Sequence, residues 1–169
     1  MRDHVDGIVE QWARERPDLD VTALALMGRA FRVAHLADAR LSEGIAVHEL
    51  QPGWFDLLAA LRRSGPPYEL NPTELMRTTL LSSGGMTKRI DRLADEGLVE
   101  RRPDPGDRRG TLIRLTRRGK ASIDRALVTH VAHEERLLSP LTRAEQKQLD
   151  ALLRKLLAAL DEPSRPASE

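Results

Sequence analysis

Most hydrophobic residues of this chain recur at the three- and four-residue spacing of helices. A short N-terminal helix is predicted by an apolar stripe made of Val5, Ile8, Val9 and Trp12. A longer helix is expected from about Val21 to near Gly44. A third should begin at Pro52, since proline is tolerated in a first helical turn, and should stop at the Ser-Gly-Pro-Pro run of residues 64–67. The N-terminal part of the chain therefore predicts three helices.

The next two predicted helices are short and lie close together. Asn71, Pro72 and Glu74 have the order of an N-cap, a first-turn proline and a first-turn acid, and predict a helix to about Leu80. Ser82 and Ser83 are expected to cap another helix, which ends at Gly97. Two short helices joined by a few residues predict a helix-turn-helix.

After Gly97 the pattern changes from helix to strand. Residues 98–103 and 111–115 favour two strands, joined by the turn-forming residues 104–107 and the basic pair at 108–109. A hairpin this small is not stable alone. Directly behind a helix-turn-helix, it is expected to be the wing of a winged helix.

The C-terminal third predicts two further helices. Thr116 should cap a helix to about Leu138, and Thr142 with Glu145 forms a capping box for the last helix. That helix carries a broad leucine stripe: Leu149, Leu152, Leu153, Leu156, Leu157 and Leu160. Its apolar face exceeds what a small chain can bury, so we expect it at a homodimer interface.

The predicted fold is mostly α with a small β-hairpin. It combines a winged helix-turn-helix DNA-binding domain at residues 51–120, with the wing at about 98–115, and a helical dimerisation layer. That layer is expected to consist of residues 1–50 and 121–161, followed by a disordered tail at 162–169.

Composition limits the possible functions. Of the 169 residues 40% are hydrophobic and 31% charged, as in a globular protein, and the absence of cysteine excludes thiolate metal sites, thiol catalysis and disulfides. Without a signal-like start or a long apolar run, the chain is expected to be cytoplasmic and to have no membrane partner. Residues 71–120 carry an excess of five positive charges and the remainder an excess of four negative ones, which favours a polyanion-binding centre.

The candidate DNA-binding residues lie at the start of the second short helix and on the hairpin. Small polar residues allow a helix N-terminus to approach a phosphate or a base edge, and basic side chains add charge. An arginine on a tight turn suits an electronegative minor groove, although a lone arginine there is usually only solvated. The candidates are Ser82, Ser83, Gly84, Thr87, Lys88, Arg92, Asp107, Arg108 and Arg109.

Four motifs in this region resemble the MarR family of transcriptional regulators. They are GGMTKRIDRL at 84–93, EGLVER at 96–101, DRRG at 107–110 and LTRRG at 115–119. The resemblance spans about residues 52–161 and implies a homodimer that binds a pseudo-palindromic double-stranded DNA operator and usually represses. It also implies that Arg109 enters the minor groove and that Asp107 orients it.

The chain further resembles the urate-responsive, PecS-like subgroup of that family, which implies a pocket for a small anionic effector. Trp12, Asp56, Arg63 and Arg89 match the four residues of that pocket. Positions seven apart, such as 56 and 63, lie on nearly the same helix face. Individually, Trp12 also fits core packing, and Asp56 with Arg63 also fits a structural ion pair. A regulator that answers a phenolic or tricarboxylic acid remains the alternative.

Other chemistry has little support in the sequence. His130, His133 and Glu134 share a helix face, but no further metal ligand is evident, so we expect no metal and no cofactor. No catalytic triad, phosphate-binding loop or nucleotide fingerprint occurs, so no enzymatic activity is expected. The alternative from another class is a helical dimerisation adaptor whose basic hairpin binds protein or RNA.

Overall fold

A computed structural model describes residues 2–51, 53–79 and 85–161. The described elements are α1 (His4–Glu15), α2 (Thr22–Ala46), α3 (Trp54–Arg63), β1 (Glu69–Leu70), α4 (Pro72–Thr78), α5 (Met86–Asp95), β2 (Val99–Asp104), β3 (Asp107–Leu115), α6 (Arg117–Leu138) and α7 (Arg143–Asp161). The mostly helical fold with a small antiparallel sheet confirms the predicted fold class. Within the described part, no helix is long and apolar enough to cross a membrane.

Local side-chain caps explain where two of the helices begin. Asp3 Oδ1 accepts hydrogen bonds from the main-chain N–H groups of Val5 (2.8 Å) and Asp6 (3.1 Å) at the start of α1. At the start of α4, Asn71 Oδ1 accepts from the Glu74 N–H at 2.9 Å, and Glu74 Oε2 accepts from the Asn71 N–H at 3.1 Å. This capping box confirms the helix start predicted at Asn71.

α3 is the centre of the hydrophobic core. Seven of its ten residues are buried, and Leu57, Leu58 and Leu61 are fully enclosed. Around it pack buried side chains from α4, α5, the residue before β2, the sheet and α6: Leu75, Met86, Ile90, Leu93, Leu98, Val99, Ile113, Leu115, Ile123 and Ala126. This single core fixes the positions of α5 and the hairpin, the two elements predicted to read DNA.

The sheet contains a strand that the sequence did not predict. Its order is β1-β3-β2, with both pairs antiparallel, and β1 pairs Glu69 with Arg114 and Leu70 with Ile113. The hairpin strands are also longer than expected, because they reach Asp104 on one side and Asp107 on the other. The basic pair at 108–109 therefore lies on β3, and the expectation that it occupies the turn was wrong.

The start of α5 also differs from the prediction. Its N-cap is Gly85, in the left-handed conformation with φ 81°, and the helix begins at Met86. The predicted cap at Ser82 and Ser83 was therefore wrong. The N-cap position has a positive φ, which glycine adopts without strain. Ser82, Ser83 and Gly84, with the predicted helix start at Pro52, the helix end at Leu80 and the tail at 162–169, lie outside the described residues.

α1 and α2 form a pair within the first of two compact units, Met1–His133. Arg29 of α2 donates from Nε to Asp3 Oδ2 at 2.7 Å and also pairs with Asp6. Further along α2, a Cβ on Gly44 would lie only 2.1 Å from His133 Nδ1, so this glycine allows α6 to approach closely. Only Gly44 of α2 is buried, and its large apolar residues are mostly exposed.

The second unit, Glu134–Glu169, contains the end of α6 and all of α7. Thr142 and Glu145 form the predicted capping box, since Glu145 Oε2 accepts from the Thr142 N–H at 2.7 Å and Thr142 Oγ1 accepts from the Glu145 N–H at 3.3 Å. Gln146 Nε2 donates to the carbonyl oxygens of Leu138 (3.2 Å) and Leu141 (3.0 Å), which fixes the turn before α7. α7 has no buried residue.

Candidate nucleic-acid interface and effector site

α5 presents a polar face to solvent and an apolar face to the core. Met86, Ile90 and Leu93 are buried, whereas the candidate residues Thr87, Lys88 and Arg92 are exposed. The alternation arises because residues three and four apart share a helix face. The side chains expected to contact DNA are therefore available on a helix whose other side is fixed by packing.

Three polar contacts hold α5 and the two residues that follow it. Arg118 Nη1 of α6 donates to the Glu96 carbonyl at 2.7 Å, and Thr116 Oγ1 donates to the Gly97 carbonyl at 2.7 Å. On the exposed face, Arg101 Nη2 of β2 donates to Asp91 Oδ1 at 2.5 Å. These contacts join α5 and the residues after it to β2 and to the start of α6.

The wing is shaped by two aspartates. Asp104 Oδ1 accepts from the Gly106 N–H at 2.8 Å, and Asp107 Oδ1 accepts from the Arg109 N–H at 2.9 Å. A Cβ on Gly110 would lie 2.9 Å from Asp104 Cβ, so only glycine fits there without a shift. The Arg109 side chain is exposed, and Asp107 holds its backbone. The Arg108 side chain is outside the described part of the structure.

The four candidate effector residues are distributed over three helices. Trp12 lies on α1, which packs on α2, and it is 42% exposed. Asp56 is half-buried and Arg63 is exposed, both on α3, and Arg89 is half-buried on α5. The Arg89 guanidinium lies over the N-cap, with Nη1 3.6 Å from the position of a Cβ on Gly85. Asp56 and Arg63 thus share the helix at the centre of the core.

Comparisons with known proteins agree with this geometry. The profile of the MarR family matches residues 48–110. The HTH-type transcriptional regulator PecS of Dickeya dadantii (strain 3937) is 40% identical over 149 residues, covering 88% of this chain and 90% of that protein. The chain belongs to the MarR family. It is accordingly a DNA-binding transcriptional regulator, which sets aside the adaptor alternative, and its relatives are regulators rather than enzymes.

Two solved MarR-type structures share its fold. A point mutant of Escherichia coli MarR complexed with operator DNA has a TM-score of 0.70 and 29% identity, covering 81% of this chain and 97% of that one. Bordetella bronchiseptica BpsR, described with a mechanism for regulation of its DNA binding by 6-hydroxynicotinic acid, has a TM-score of 0.68 and 25% identity, covering 76% and 90%. The predicted winged-helix architecture is therefore confirmed as that of a MarR regulator.

A half-buried charge cluster that the sequence did not reveal connects α3 to α6 in this MarR-family chain. Asp124 accepts from Lys120 Nζ at 2.9 Å and from Arg62 Nε at 2.7 Å, and both cations also lie over the Tyr68 ring, at 5.7 and 5.0 Å from its centroid. The Lys120 hydrogen bond, with further contributions from Arg62, lowers the pKa of the Asp124 carboxyl below its ordinary value. The cluster joins the α3 helix of Asp56 and Arg63 to α6.

The histidines of α6 have packing roles in the described structure. The His130 ring lies against Phe55 of α3, with a centroid distance of 4.4 Å, and His133 packs on Gly44 of α2. His48 Nε2 lies 2.7 Å from Thr129 Oγ1. Among the described residues, no group of three or more histidine, aspartate or glutamate side chains is arranged to hold a metal ion.

Proposed function

We propose that this MarR-family regulator is a repressor that binds a pseudo-palindromic operator as a homodimer and is released by a small anionic ligand such as urate. The observation that carries this proposal is the exposed polar face of α5, supported from behind by a single buried core. A helix held in this way can enter a major groove without losing its internal packing.

In this proposal α5 reads the major groove and the wing reads the minor groove. Thr87, Lys88 and Arg92 contact base edges or phosphates, while Arg109 enters the minor groove from β3 with its backbone held by Asp107. Ser82, Ser83, Gly84 and Arg108 complete the proposed contact set. The excess of positive charge over residues 71–120 supports this region as the DNA-binding surface, because phosphate neutralisation supplies much of the affinity for DNA.

The proposed homodimer explains the exposed leucines of α7. Their exposure within one chain ranges from 39% at Leu149 to 77% at Leu160. A second copy of the same helix would remove this apolar surface from water, and a twofold axis would match the two halves of a palindromic operator.

The proposed effector pocket uses Trp12, Asp56, Arg63 and Arg89. The arginines bind the anion, the indole stacks on a planar ring, and the carboxylate accepts hydrogen bonds from ring N–H groups. Because Arg89 belongs to α5, an anion that draws it would shift the DNA-reading helix. BpsR supports an acidic effector in a MarR-type fold, so a phenolic or tricarboxylic acid remains the alternative to urate.

Fluorescence anisotropy of labelled operator DNA tests this switch. Urate should lower the operator affinity of the wild-type protein, and the Arg89→Ala, Asp56→Ala and Arg63→Ala variants should show a much smaller ligand-induced change. DNA and ligand must oppose each other by the same factor, about 1–3 kcal/mol for couplings of this kind. Equal release of DNA from the wild type and all three variants would place the pocket elsewhere.

A further inference from the structure

Lysine is scarce in this chain, and one lysine lies on the helix expected to read DNA. The 27 lysine and arginine residues include only four lysines: Lys88, Lys120, Lys147 and Lys155. Among the basic residues proposed above to contact DNA, Lys88 is the only lysine. This difference matters because the lysine amine can accept an acyl group and lose its charge, whereas the guanidinium of arginine stays protonated.

The Lys88 amine is exposed, and the described chain gives it no partner. Lys88 lies in the first turn of α5, on the solvent side of the helix. No residue in the described ranges forms a hydrogen bond or ion pair with its side chain. Asp91, at the i+3 position of the same helix, accepts instead from Arg101 Nη2 of β2 at 2.5 Å. The carboxylate best placed to pair with Lys88 is therefore already engaged by another cation.

Lys120 is the other lysine of the basic region, and its amine is held in place. Its Nζ donates to Asp124 Oδ2 at 2.9 Å and lies 5.7 Å from the centroid of the Tyr68 ring. To react, this amine would have to leave both the carboxylate and the ring. Residues 71–120 thus contain one accessible lysine and one protected lysine.

The position of Lys88 in the first turn of α5 also affects what happens when its charge is lost. The N-terminal end of a helix carries a partial positive charge, so a cation in the first turn is unfavourable there. The packing of α5 depends on Met86, Ile90 and Leu93, on the opposite face. Neutralisation of Lys88 should therefore leave the helix folded and change only the charge of its exposed face.

We propose that Lys88 is an acylation site, at which an acyl phosphate removes one charge from the DNA-reading face and lowers the affinity for the operator. The uncharged amine attacks the carbonyl carbon of the acyl phosphate. A C–N bond forms, the C–O bond to the phosphate breaks, inorganic phosphate leaves with that electron pair, and the amine proton passes to solvent. The effect on operator affinity rests on the proposed function, whereas the reaction at Lys88 does not.

Treatment of the full chain with acetyl phosphate, in the absence of DNA, tests the reaction. Mass spectrometry of peptides over a time course gives the extent of acetylation at each lysine. Lys88 should be acetylated several-fold faster than Lys120, because only the Lys120 amine is held by a carboxylate. Equal rates at the two lysines, or a faster rate at Lys120, would overturn the proposal.

Fluorescence anisotropy with labelled operator DNA measures the consequence. The acetylated wild-type protein should bind about tenfold more weakly than the untreated protein, and the salt dependence should fall by about one unit of slope. Lys88→Arg cannot be acetylated at this position, and its affinity, whatever the starting value, should not change on treatment. The other three lysines remain in this variant, so it controls for their acetylation. An equal loss of affinity on treatment of the wild type and Lys88→Arg contradicts the proposal.

The outcomes separate this site from the proposed function. If the untreated wild type does not bind the operator selectively, the proposed function is wrong, while faster acetylation of Lys88 than of Lys120 still supports the reactive site. If the wild type binds the operator and keeps its affinity after Lys88 is acetylated, the proposed function stands and the acylation switch is wrong.

Discussion

The α3 and α7 helices are both rich in leucine, but the two regions use these leucines differently. In α3, Leu57, Leu58 and Leu61 are fully buried within the chain. In α7, Leu152 and Leu156 are each 54% exposed. An apolar stripe that is enclosed by its own chain stabilises the fold, whereas an exposed stripe is available to a partner.

The winged-helix region and the exposed helices α2 and α7 therefore have different roles in the regulator. The buried core positions α5 and the wing, and Ile123 and Ala126 of α6 also belong to it. In α2 only Gly44 is buried and the partly buried Ile45 packs against the core, while no residue of α7 is buried. We therefore expect changes in the two regions to affect different properties of the protein.

The largest effect on stability is expected from the core of the winged-helix region. Leu58→Ala should lower the free energy of unfolding by about 2–5 kcal/mol, because it removes a fully buried side chain and leaves a cavity. Leu19→Ala, at a residue that is 47% exposed between α1 and α2, should change it by less than about 0.5 kcal/mol. Urea unfolding followed by circular dichroism measures both, and equal losses would mean that α3 does not form the core.

The largest effect on assembly is expected from α7. Leu153→Glu places a charge in the proposed leucine interface and should convert dimers into monomers or aggregates. Gln148→Glu adds the same charge on the same helix, at an exposed residue outside the leucine stripe, and should remain dimeric. Sedimentation velocity distinguishes the species. A Leu153→Glu protein that stays dimeric would show that the exposed leucines of α7 do not form the dimer interface.

DNA binding should respond to substitutions that leave both core and interface intact. Lys88→Ala or Arg92→Ala should weaken operator binding by about 1–3 kcal/mol if the side chain reads a base edge. Arg109→Ala should weaken binding and flatten its salt dependence, by about one unit of slope for each phosphate that is no longer neutralised. Lys147→Ala removes the same charge from α7 and should bind the operator normally. Three variants with normal affinity and normal folding would exclude α5 and the wing as the DNA-reading surface.

The smallest effect is expected from the charge cluster that joins α3 to α6. Because the folded-state pKa of Asp124 is lowered, its contribution is present above the unfolded value of about 4 and is lost as the pH falls through the folded pKa. Asp124→Asn should therefore lower the free energy of unfolding slightly at neutral pH. The free energy of unfolding should also fall less steeply in acid than it does in the wild type. The Asp124 side chain is 37% exposed, and screening by water keeps the effect small.

Urea unfolding at a series of pH values measures this change. Asp95→Asn, which alters an exposed carboxylate of α5, controls for the change in net charge. If the free energy of unfolding falls with decreasing pH in the same way in the wild type and in Asp124→Asn, the cluster does not stabilise the fold.

Features set by neighbouring residues could be predicted from the sequence. The capping boxes at Asn71 and Thr142, the apolar stripe of α1 and the change from helix to strand after Gly97 all depend on contacts within a few residues. The motifs at 84–119 also predicted the family correctly, because they combine the buried positions of α5 with the turn residues of the wing.

Features made by distant segments could not be predicted in this way. β1 is only two residues long and exists because Glu69 and Leu70 pair with β3, more than 40 positions away along the chain. The cluster at Asp124 likewise combines segments that have no recognisable relation in the sequence. The N-cap at Gly85 was missed because serine is the commoner cap, and the positive φ of this glycine is visible only in the fold.

We propose that two chains, joined through their exposed helices, present two α5 helices to one operator. Sedimentation of the protein with a labelled duplex from its own upstream region, carrying an inverted repeat, gives the number of chains bound to each duplex. We predict two chains on each specific duplex, with half-site centres about one helical turn apart, and much weaker binding to a scrambled duplex of equal length. One chain on each duplex, or equal affinity for the scrambled sequence, would rule out this assembly on the operator.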